Sequence, residues 1–576
     1  MILFNLMNSF EMEWILSNKN GTYSASTVSM ANTRTYHGIY VKAINENYDR
    51  INYLNKFFEV LRINNELYNL DTNFYDVVYP DGYKFLESFN DYGYLEFIYK
   101  IRSSIIYKRM FLDDYDTLII EYDSNGVDEF LLYPLISFRR SYLTLNHNNF
   151  NVSINKYYEF SSGDYYFNID IPGDYIEENK WYYNFNYPVD MERGSNYIEN
   201  LFLPGHFSVK MNKFTVRIFI DRPSDTSIKK IKKKQGIAAK ASKFIVKNNI
   251  LAGFYWFGPW GRDTFISMPG ILLTQRRFND ARNILIEYSN RIKNGMVPRI
   301  FTPDYESGDT GLWFIYAFYK YYNYTMDNSI LEFMYKKMVD IVNSYINGND
   351  LYYLDNYLVT MKRPKLTWMD AQTGDKIFTP RTGKPVEINA LWYNALRSMS
   401  YFSELLHIKN DYDGIAEMVS REFKKTFISK HFIMDTDNDP SVRPNMIFSF
   451  SLPYNILDNF NDYKEIIDDE LLTPYGLRSL SKYDRNYHGF YTGDQYSRDS
   501  AYHNGAIWTW LAGPYITASV RSGHDRKELY NYFKNLYSLY MIPELFDDTL
   551  KPKGCVMQAW SYGELLRAYH EDLVGQ

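Results

Sequence analysis

The stretch Pro223-Ser-Asp-Thr-Ser-Ile-Lys-Lys-Ile-Lys-Lys-Lys-Gln-Gly236 separates two parts of the chain that have different residue patterns. Five lysines stand between residues 229 and 234. Such a charge run is typical of a solvated linker or of the start of a helix, with anion binding as the alternative. The sequence therefore predicts a β-sandwich over residues 1–225, a Lys-rich linker over 226–236 and a helical domain over 237–576.

The part before this stretch has the pattern of a β domain. Short runs of alternating apolar and polar residues follow one another, separated by clusters of Asn, Asp and Gly. Many short strands with regular turn signals are typical of a β-sandwich. The predicted strands include Tyr36–Lys42, Thr117–Tyr122, Phe150–Ile154, Tyr165–Ile171 and Phe214–Ile220.

The part after it has a helical pattern. Residues Ala281–Ile292 and Tyr562–Tyr569 keep their apolar side chains on one face of a helix. Residues 237–576 have room for about twelve helices, at roughly 28 residues for each helix and its loop. This length predicts an all-α toroid. A helical array is the alternative, although the sequence has no repeat of fixed period.

The overall composition is globular and disfavours nucleic acid as a partner. The chain has 576 residues, of which 45% are apolar and 23% are charged. Its net charge of -6, from 63 basic and 69 acidic residues, implies no general surface for a polyanion. The sequence makes no prediction of an oligomeric state.

The usual signals for secretion and membrane insertion are absent from the sequence. The start, Met1–Gly21, has neither a basic region nor a long apolar core, so no signal peptide is predicted. No apolar run of about 18 residues occurs, so no membrane contact is predicted. The single cysteine, Cys555, rules out an internal disulfide and favours a reducing compartment, although a secreted cysteine-poor protein would look the same. We therefore expect a cytoplasmic protein.

Aromatic residues make up 18% of the chain, with 57 Tyr and 39 Phe. A codon-biased genome is one explanation, since Asn and Ile are also common; the other is stacking of rings on sugars. The tryptophans discriminate slightly better, because most of the ten lie after residue 250, many of them beside polar, Gly-containing motifs. These later tryptophans are Trp256, Trp260, Trp313, Trp368, Trp392, Trp508, Trp510 and Trp560.

Two loop segments in the first half of the helical part carry polar residues beside tryptophans. In Gly253–Phe265, Trp256 and Trp260 frame Arg262 and Asp263. This segment is either a packed aromatic turn with a local Arg–Asp ion pair or a sugar cradle, in which Arg and Asp bind vicinal hydroxyls while Trp stacks.

The second of these segments contains Asp370, which follows Trp368 and Met369. Apolar surroundings raise the pKa of a carboxyl group, as a general acid requires. The alternative is that Asp370 caps a helix. Glu387 stands at the start of a predicted helix containing Trp392, where it is either a ligand or a charge favoured by the helix dipole.

Two further segments lie near the end of the chain. Ser497–Trp510 contains His503, which either makes a structural hydrogen bond or binds a sugar hydroxyl; the spacing of a zinc site is absent. In Met541–Asp547, Glu544 follows a proline between apolar residues, with Asp547 as its nearest competitor. Cys555 is a weak candidate for a nucleophile, because nothing near it in sequence lowers its pKa.

Carboxylates remain as the best candidates for chemistry, because no GxSxG elbow, P-loop or GxGxxG context is present. Cleavage of a glycosidic bond needs two of them: one protonates the leaving oxygen, and the other activates water or attacks carbon. The pair Asp370 and Glu544 therefore predicts a carbohydrate hydrolase.

Together these segments resemble one family, the glycogen debranching enzymes of archaeal and bacterial type with their amylo-α-1,6-glucosidase domain. The N-terminal half also fits, through Thr33–Ile39 and Glu192-Arg-Gly194. Single motifs are weak, but the set occurs in the family's order over nearly the whole chain. The matching helical segments are Trp256–Asp263 with Pro269-Gly270, Thr367–Ala371, Val386–Trp392, Val442–Asn445, Tyr502–Gly505 with Trp508, and Ile542–Phe546 with Gln558–Ser561.

The resemblance implies a β-sandwich joined to a glucoamylase-like (α/α)6 barrel. It implies an inverting enzyme that removes α-1,6-linked glucose from a glycogen-like α-glucan, with Asp370 as acid, Glu544 as base and no cofactor or metal. Their carboxyl groups are then expected about 6.5–9.5 Å apart. The residues expected to contact sugar are Trp256, Trp260, Arg262, Asp263, Trp313, Trp368, Glu387, His503, Trp508, Gln558 and Trp560.

Two departures from the family's pattern narrow what is implied. Pro259 stands where a carboxylate is common, which puts one sugar contact in doubt. The chain has no added TIM-barrel domain, so glucan transfer is not implied. The alternatives are a glucoamylase-like or trehalase-like glucosidase on the same barrel, and a non-catalytic glycan-binding protein.

Overall fold

The protein forms two compact units, Met1–Lys247 and Asn248–Gln576, in a computed structural model that describes residues 9–154, 156–301, 304–429 and 432–574. The first unit is mainly β and the second mainly α. Residues 226–247, which include the predicted linker 226–236, group with the first unit. The first eight residues of Met1–Gly21, for which no signal peptide is predicted, lie outside the described part of the chain.

The first unit contains nineteen described strands and two short helices. The helices are α1 (Pro188–Glu192) and α2 (Ile237–Ala241). The strands are β1 (Glu13–Ser17), β2 (Tyr23–Thr27), β3 (Gly38–Ala43), β4 (Arg50–Ile63), β5 (Glu66–Asn69), β6 (Thr72–Phe74), β7 (Val78–Asp81), β8 (Leu86–Asp91), β9 (Leu95–Ile101), β10 (Ser104–Leu112), β11 (Leu118–Ser124), β12 (Glu129–Arg140), β13 (Asn151–Ile154), β14 (Tyr158–Ser162), β15 (Tyr165–Asp170), β16 (Asp174–Asn186), β17 (Ile198–Val209), β18 (Lys213–Phe219) and β19 (Ile245–Val246).

These strands build two eight-stranded sheets whose neighbouring strands run antiparallel. One has the order β1-β2-β3-β4-β12-β17-β16, with β5 paired to β4, and the other has the order β13-β14-β15-β18-β11-β10-β9-β8. The five strands predicted from alternation are confirmed as β3, β11, β13, β15 and β18. Strands β4, β12, β16 and β17 are the longest, with 12 to 14 residues each. Their pairings contain register shifts. Such bulges let a long strand bend around a core.

The inner faces of the two sheets pack against each other through aromatic rings. Tyr53 of β4 contacts Phe167 of β15 with ring centroids 6.4 Å apart, and Trp14 of β1 contacts Phe97 of β9 at 6.0 Å. One ion pair is buried between the sheets, with Lys108 Nζ 2.6 Å from Glu59 Oε1. The predicted sandwich therefore describes the first unit.

The second unit contains twelve α-helical segments among its described residues. They are α3 (Gly261–Met268), α4 (Phe278–Asn290), α5 (Thr310–Thr325), α6 (Leu331–Asn347), α7 (Val386–Leu405), α8 (Tyr412–Phe427), α9 (Phe448–Ser451), α10 (Asn461–Glu470), α11 (Gln495–Tyr502), α12 (Ala512–Arg521), α13 (Arg526–Tyr537) and α14 (Ala559–Ala568).

Six of these helices contact one another in a closed ring, in the order α3, α5, α7, α9, α12, α14 and back to α3. Every residue of α3 and α14 is buried, whereas α8 buries only Ala416, Val419, Phe423 and Phe427. A helix that is buried on all sides belongs to a core, and one with a single apolar stripe covers that core. A Cβ on Gly270, just after α3, would lie 1.8 Å from the carbonyl oxygen of Gly563 in α14, so glycine permits this closest approach.

Short strands join the loops between the helices. They are β20 (Asn249–Ile250), β21 (Gly253–Phe254), β22 (Tyr352–Asp355), β23 (Leu358–Met361), β24 (Gln372–Thr373), β25 (Lys376–Ile377), β26 (Leu472–Thr473), β27 (Gly476–Arg478), β28 (Ile507–Trp508), β29 (Leu545–Phe546), β30 (Pro552–Lys553) and β31 (Met557–Gln558). Strands β26 to β30 form one five-stranded sheet, and β21 pairs with β31. None of the described helices is long and apolar enough to cross a membrane.

Candidate active site

Glu544 lies just before β29, which pairs with the strand that carries Trp508. Its Oε1 accepts a hydrogen bond from the Tyr502 hydroxyl, and its Oε2 accepts one from the Cys555 backbone N–H at 2.9 Å. The side chain is 2% exposed. Gly554 has φ +71° and a Cβ there would lie 2.3 Å from Glu544 Oε2, so only glycine fits beside this carboxylate. Both oxygens are therefore fixed in a buried, polar setting.

Asp370 lies in a loop and not at the start of a helix. The residues after it form the β24–β25 hairpin, and the next helix, α7, begins at Val386 with Pro385 as its N-cap. The alternative interpretation of Asp370 as a helix cap is therefore wrong. Burial raises the pKa of its carboxyl group, and the Arg262 guanidinium opposes that shift. Among the described residues, none donates a hydrogen bond to this carboxyl group.

Asp263 is a buried carboxyl group that lies near both Glu544 and the half-buried Asp370. It belongs to the first turn of α3, where the helix dipole favours a negative charge. Burial raises the pKa of Asp263 to about 7, Arg262 opposes the shift, and the nearby charges of Glu544 and Asp370 add to it. Three carboxyl groups from distant parts of the sequence thus converge.

Arg262 forms its ion pair with Asp309 and not with its neighbour in sequence. Arg262 Nε lies 2.6 Å from Asp309 Oδ2, and both side chains are buried. Asp309 precedes α5 and is fixed on its other oxygen by the Ser307 hydroxyl at 2.7 Å. The predicted alternative of a local Arg262–Asp263 pair is therefore wrong, and Arg262 is held in place by a residue that sequence reasoning missed.

An aromatic cluster surrounds the Asp370 loop. The Trp368 ring lies edge-on to the rings of Trp508, Trp510 and Trp560, at centroid distances of 5.1, 5.4 and 6.4 Å. Trp510 and Trp560 stack at 4.8 Å. The indole N–H groups of Trp510 and Trp560 are buried without a hydrogen-bond partner among the described residues. The cluster therefore offers apolar faces together with unused donors.

His503 links this cluster to the Asp370 loop. Its Nδ1 accepts a hydrogen bond from the Ala371 N–H at 3.4 Å, and its ring stacks on Trp508 at 5.6 Å. Burial, with the nearby arginines Arg443 and Arg381, lowers the pKa of His503 well below its usual value. The ring is therefore neutral with its proton on Nε2, which is buried without a partner among the described residues.

Glu387 takes part in a buried charge network beneath Trp368. Both of its carboxylate oxygens accept hydrogen bonds from Arg381, which also pairs with Asp435 at 2.9 Å. Asp435 accepts from Asn445, whose side-chain oxygen accepts from the Trp368 indole N–H at 2.7 Å. The placement of Glu387 favours support of the Trp368 loop over direct contact with sugar.

The remaining predicted residues lie at different distances from the carboxyl groups. Gln558 contacts the site directly, with its Nε2 3.4 Å from Asp263 Oδ1. Trp260 is partly exposed, and the Arg299 guanidinium lies 5.3 Å from its ring centre. Trp256 is partly exposed beside Phe257 at 6.0 Å. Trp313, on α5, is linked to the aromatic cluster through Phe448, whose ring stacks on Trp510.

Sequence reasoning missed Asp309 altogether, and it named Tyr502 and Asn445 only within segments that match the family, without a role in this site. The sequence does carry a signal for Asp309. It is a carboxylate in the Gly-containing run Ser-Gly-Asp-Thr, just before the helix that carries Trp313, and it resembles the other four loop segments in this respect. Pro259, the departure from the family's pattern, is buried. The Cys555 thiol is also buried and donates to Gln558 Oε1 at 2.6 Å, so it positions that side chain.

No group of three or more His, Cys, Asp or Glu side chains is arranged to hold a metal ion within the described ranges. The carboxyl groups, N–H donors and aromatic rings of this site can exchange protons with a bound molecule, form hydrogen bonds to its hydroxyl groups and stack on its apolar faces. These are the interactions that hydrolysis of a sugar acetal requires.

Comparison with known proteins relates the chain to a family. The model of the family described as amylo-alpha-1,6-glucosidase matches residues 228–567, and the model described as glycogen debranching enzyme N terminal matches residues 12–217. The glycogen debranching enzyme of Saccharomyces cerevisiae (strain ATCC 204508 / S288c) is 23% identical over 368 residues, which are 45% of this chain and 24% of the yeast enzyme. The chain thus spans about a quarter of that relative's length.

The crystal structure of a bacterial glucoamylase complexed with acarbose has a similar fold. Its TM-score is 0.60 at 10% sequence identity, over 98% of this chain and 93% of that chain. This similarity concerns the fold alone. The family models cover both units and more than half of the chain, so the chain belongs to the amylo-alpha-1,6-glucosidase family of glycogen debranching enzymes.

Proposed function

We propose that this protein removes α-1,6-linked glucose branch stubs from a glycogen-like glucan with inversion at the anomeric carbon. In this proposal Asp370 is the general acid and Glu544 the general base. The observation that carries it is the contrast between their surroundings. The Asp370 carboxyl group is desolvated and receives no hydrogen bond from a described residue, whereas Glu544 accepts one on each oxygen.

This contrast matches the two roles. A carboxyl group whose pKa is raised keeps its proton near neutral pH and can give it to the glycosidic oxygen. Hydrogen bonds to both oxygens stabilise an ionised carboxylate, which can take a proton from the water that attacks the sugar carbon. Pairs of carboxyl groups with different environments are the usual arrangement for acid–base catalysis of this kind.

The surrounding residues suit a terminal glucose. Arg262, fixed by Asp309, and Asp263, which accepts a hydrogen bond from Gln558, present hydrogen-bonding groups that can bind vicinal hydroxyls. The unused N–H groups of Trp560 and His503 offer further donors. We propose that the ring α3–α5–α7–α9–α12–α14 is the inner layer of an (α/α)6 barrel, which the closed cycle of helix contacts supports.

Glucose release from two substrates tests this function. We expect faster release from a branched limit dextrin than from a linear maltooligosaccharide. Asp370→Asn and Glu544→Gln should each lower turnover by about a hundredfold to ten-thousandfold while substrate binding is largely kept. Strong preference for the linear chain would favour a glucoamylase-like enzyme, and full activity in either variant would remove that residue from its role.

A further inference from the structure

The helical unit contains a concave site that is lined by residues other than the carboxyl groups described above. It is an open groove of about 830 Å³. This volume lies within the range of about 300–1,000 Å³ that is usual for small-molecule sites. Its walls come from residues 376–380, 439–443, 481–488 and 496–504, with Glu470 at one side.

The charges in this groove cancel. Three cationic side chains line it, Lys376, Arg443 and Arg485. Three anionic side chains also line it, Asp439, Glu470 and Asp484. A site for phosphate or for a polycation would carry an excess of one sign. Balanced donors and acceptors suit a neutral ligand that has many hydroxyl groups.

Exposed aromatic rings stand in the same groove. Tyr483 is 66% exposed and Tyr496 is 52% exposed. The rings of Tyr496 and Phe378 meet edge-on, with their centroids 5.1 Å apart. This contact supports the Tyr496 ring without covering both of its faces. Rings of this kind stack on the apolar C–H face of a pyranose.

Two buried polar atoms of the lining are unsatisfied. Arg443 is 6% exposed, and its Nε has no hydrogen-bond partner among the described residues; the nearest carboxylate oxygens lie at 3.8 and 4.0 Å. Thr379 is 3% exposed and its hydroxyl is also without a partner. Buried polar groups are nearly always hydrogen-bonded, so a water molecule or a ligand hydroxyl is the expected partner of these two.

The groove shares two wall segments with the candidate active site. Lys376 belongs to the hairpin after Asp370, and Phe378 follows that hairpin directly. Asn504 follows His503. Arg443 joins the two sites, because it donates to the His503 carbonyl oxygen at 2.5 Å and to Asn504 Oδ1 at 3.0 Å. A polymer chain in the groove would therefore run beside the Asp370 loop.

We propose that this groove binds an α-1,4-linked glucan segment, the main chain that carries the branch stub. This inference rests on the proposed function for the identity of the sugar. The groove would then favour a branched substrate by holding the part of it that is not cleaved, and Tyr483 and Tyr496 would be its stacking residues.

Binding of β-cyclodextrin tests the inference without catalysis. This ring of α-1,4-linked glucose has no chain end for a terminal-glucose pocket to hold. We expect the full-length protein to bind it in calorimetry, and the double variant Tyr483→Ala/Tyr496→Ala to bind at least about tenfold more weakly, given the usual worth of aromatic stacking. Tyr353→Ala is the matched control, because Tyr353 is also exposed, with a lysine over its ring, but lies outside the groove.

Kinetics on two substrates separates this inference from the proposed function. For a maltooligosaccharide with one α-1,6-linked glucose, the double variant should raise KM about fivefold to tenfold. Its rate on isomaltose, which offers only a single glucose in place of the main chain, should change by less than about twofold. Absence of cyclodextrin binding, or equal binding by the double variant, would contradict the inference that the groove binds glucan. A wild-type protein that binds cyclodextrin but releases no glucose would instead overturn the proposed function.

Discussion

Asp263 is a buried carboxyl group whose ionisation costs folding free energy. Burial and the neighbouring carboxylates raise its pKa from 3.8 to about 7. Because this pKa is higher in the folded state than in the unfolded state, the folded state binds the proton more tightly. The resulting stabilisation is fully present below about pH 4 and is lost as the pH rises to about 7.

Replacing this residue should therefore change how stability depends on pH. We expect Asp263→Asn to gain unfolding free energy relative to the wild type by up to about 1.4 kcal/mol for each pH unit between about pH 4 and 7. Thermal unfolding of both proteins at pH 5 and pH 8 measures this gain. The same difference in Tm at both pH values would show that Asp263 is not the buried titrating group.

Tyr502 donates its hydroxyl hydrogen to Glu544 at every pH where the protein is folded. Burial and the Glu544 charge raise the pKa of this phenol well above its usual value, so it stays protonated. One hydrogen bond to a charged group is worth about 1.5–3 kcal/mol. We therefore expect Tyr502→Phe to lower kcat at least about tenfold with little change in KM.

A matched variant distinguishes this effect from general destabilisation. The Tyr515 hydroxyl donates to Asp468 at 2.6 Å in the same unit, but outside the candidate site. Tyr515→Phe should leave kcat unchanged. An equal loss of kcat in both variants would mean that Tyr502 acts on the fold rather than on Glu544.

The Asp370 loop and helix α7 depend on one buried network, which includes Glu387. Removing one partner of a buried ion pair costs about 3–5 kcal/mol, because the other charge is left without compensation. We expect Glu387→Gln to lower Tm markedly. Glu332→Gln is the control, because its pair with Lys336 is exposed and such pairs contribute about 0–1 kcal/mol. A raised KM without a change in Tm would instead assign Glu387 to sugar binding.

Sequence patterns predicted most elements but not their surroundings. Alternation located β15 within one residue and β11 within two, and the helix predicted over Ala281–Ile292 is observed as Phe278–Asn290. The apolar residues of helix α14 lie on one side, yet all its residues are buried. Its charged residues Glu564 and Arg567 can be buried because they form an ion pair with each other. The hairpin after Asp370 was predictable in principle, because Gly374-Asp375 is a two-residue turn signal between short strands.

Contacts between distant segments are what the sequence could not supply. Tryptophans and carboxylates mark the four loop segments in the sequence, and the order of these segments resembles that of one family. The pairs that fix them are 47, 42 and 54 positions apart: Arg262–Asp309, Tyr502–Glu544 and Arg381–Asp435. Only the closure of the helix ring brings such residues together, since nothing local in the sequence encodes these pairings.

In the proposed mechanism, the separation of the Asp370 and Glu544 carboxyl groups decides the stereochemistry of the reaction. Carboxyl groups about 6.5–9.5 Å apart leave room for a water molecule and give inversion, whereas about 5–5.5 Å allows direct attack and gives retention. We expect inversion, so the first product from an α-linked substrate should be β-glucose. Proton NMR during the first minutes, before the anomers equilibrate, measures this. Initial release of α-glucose would contradict the acid–base pair proposed here and assign one of the two carboxylates as a nucleophile.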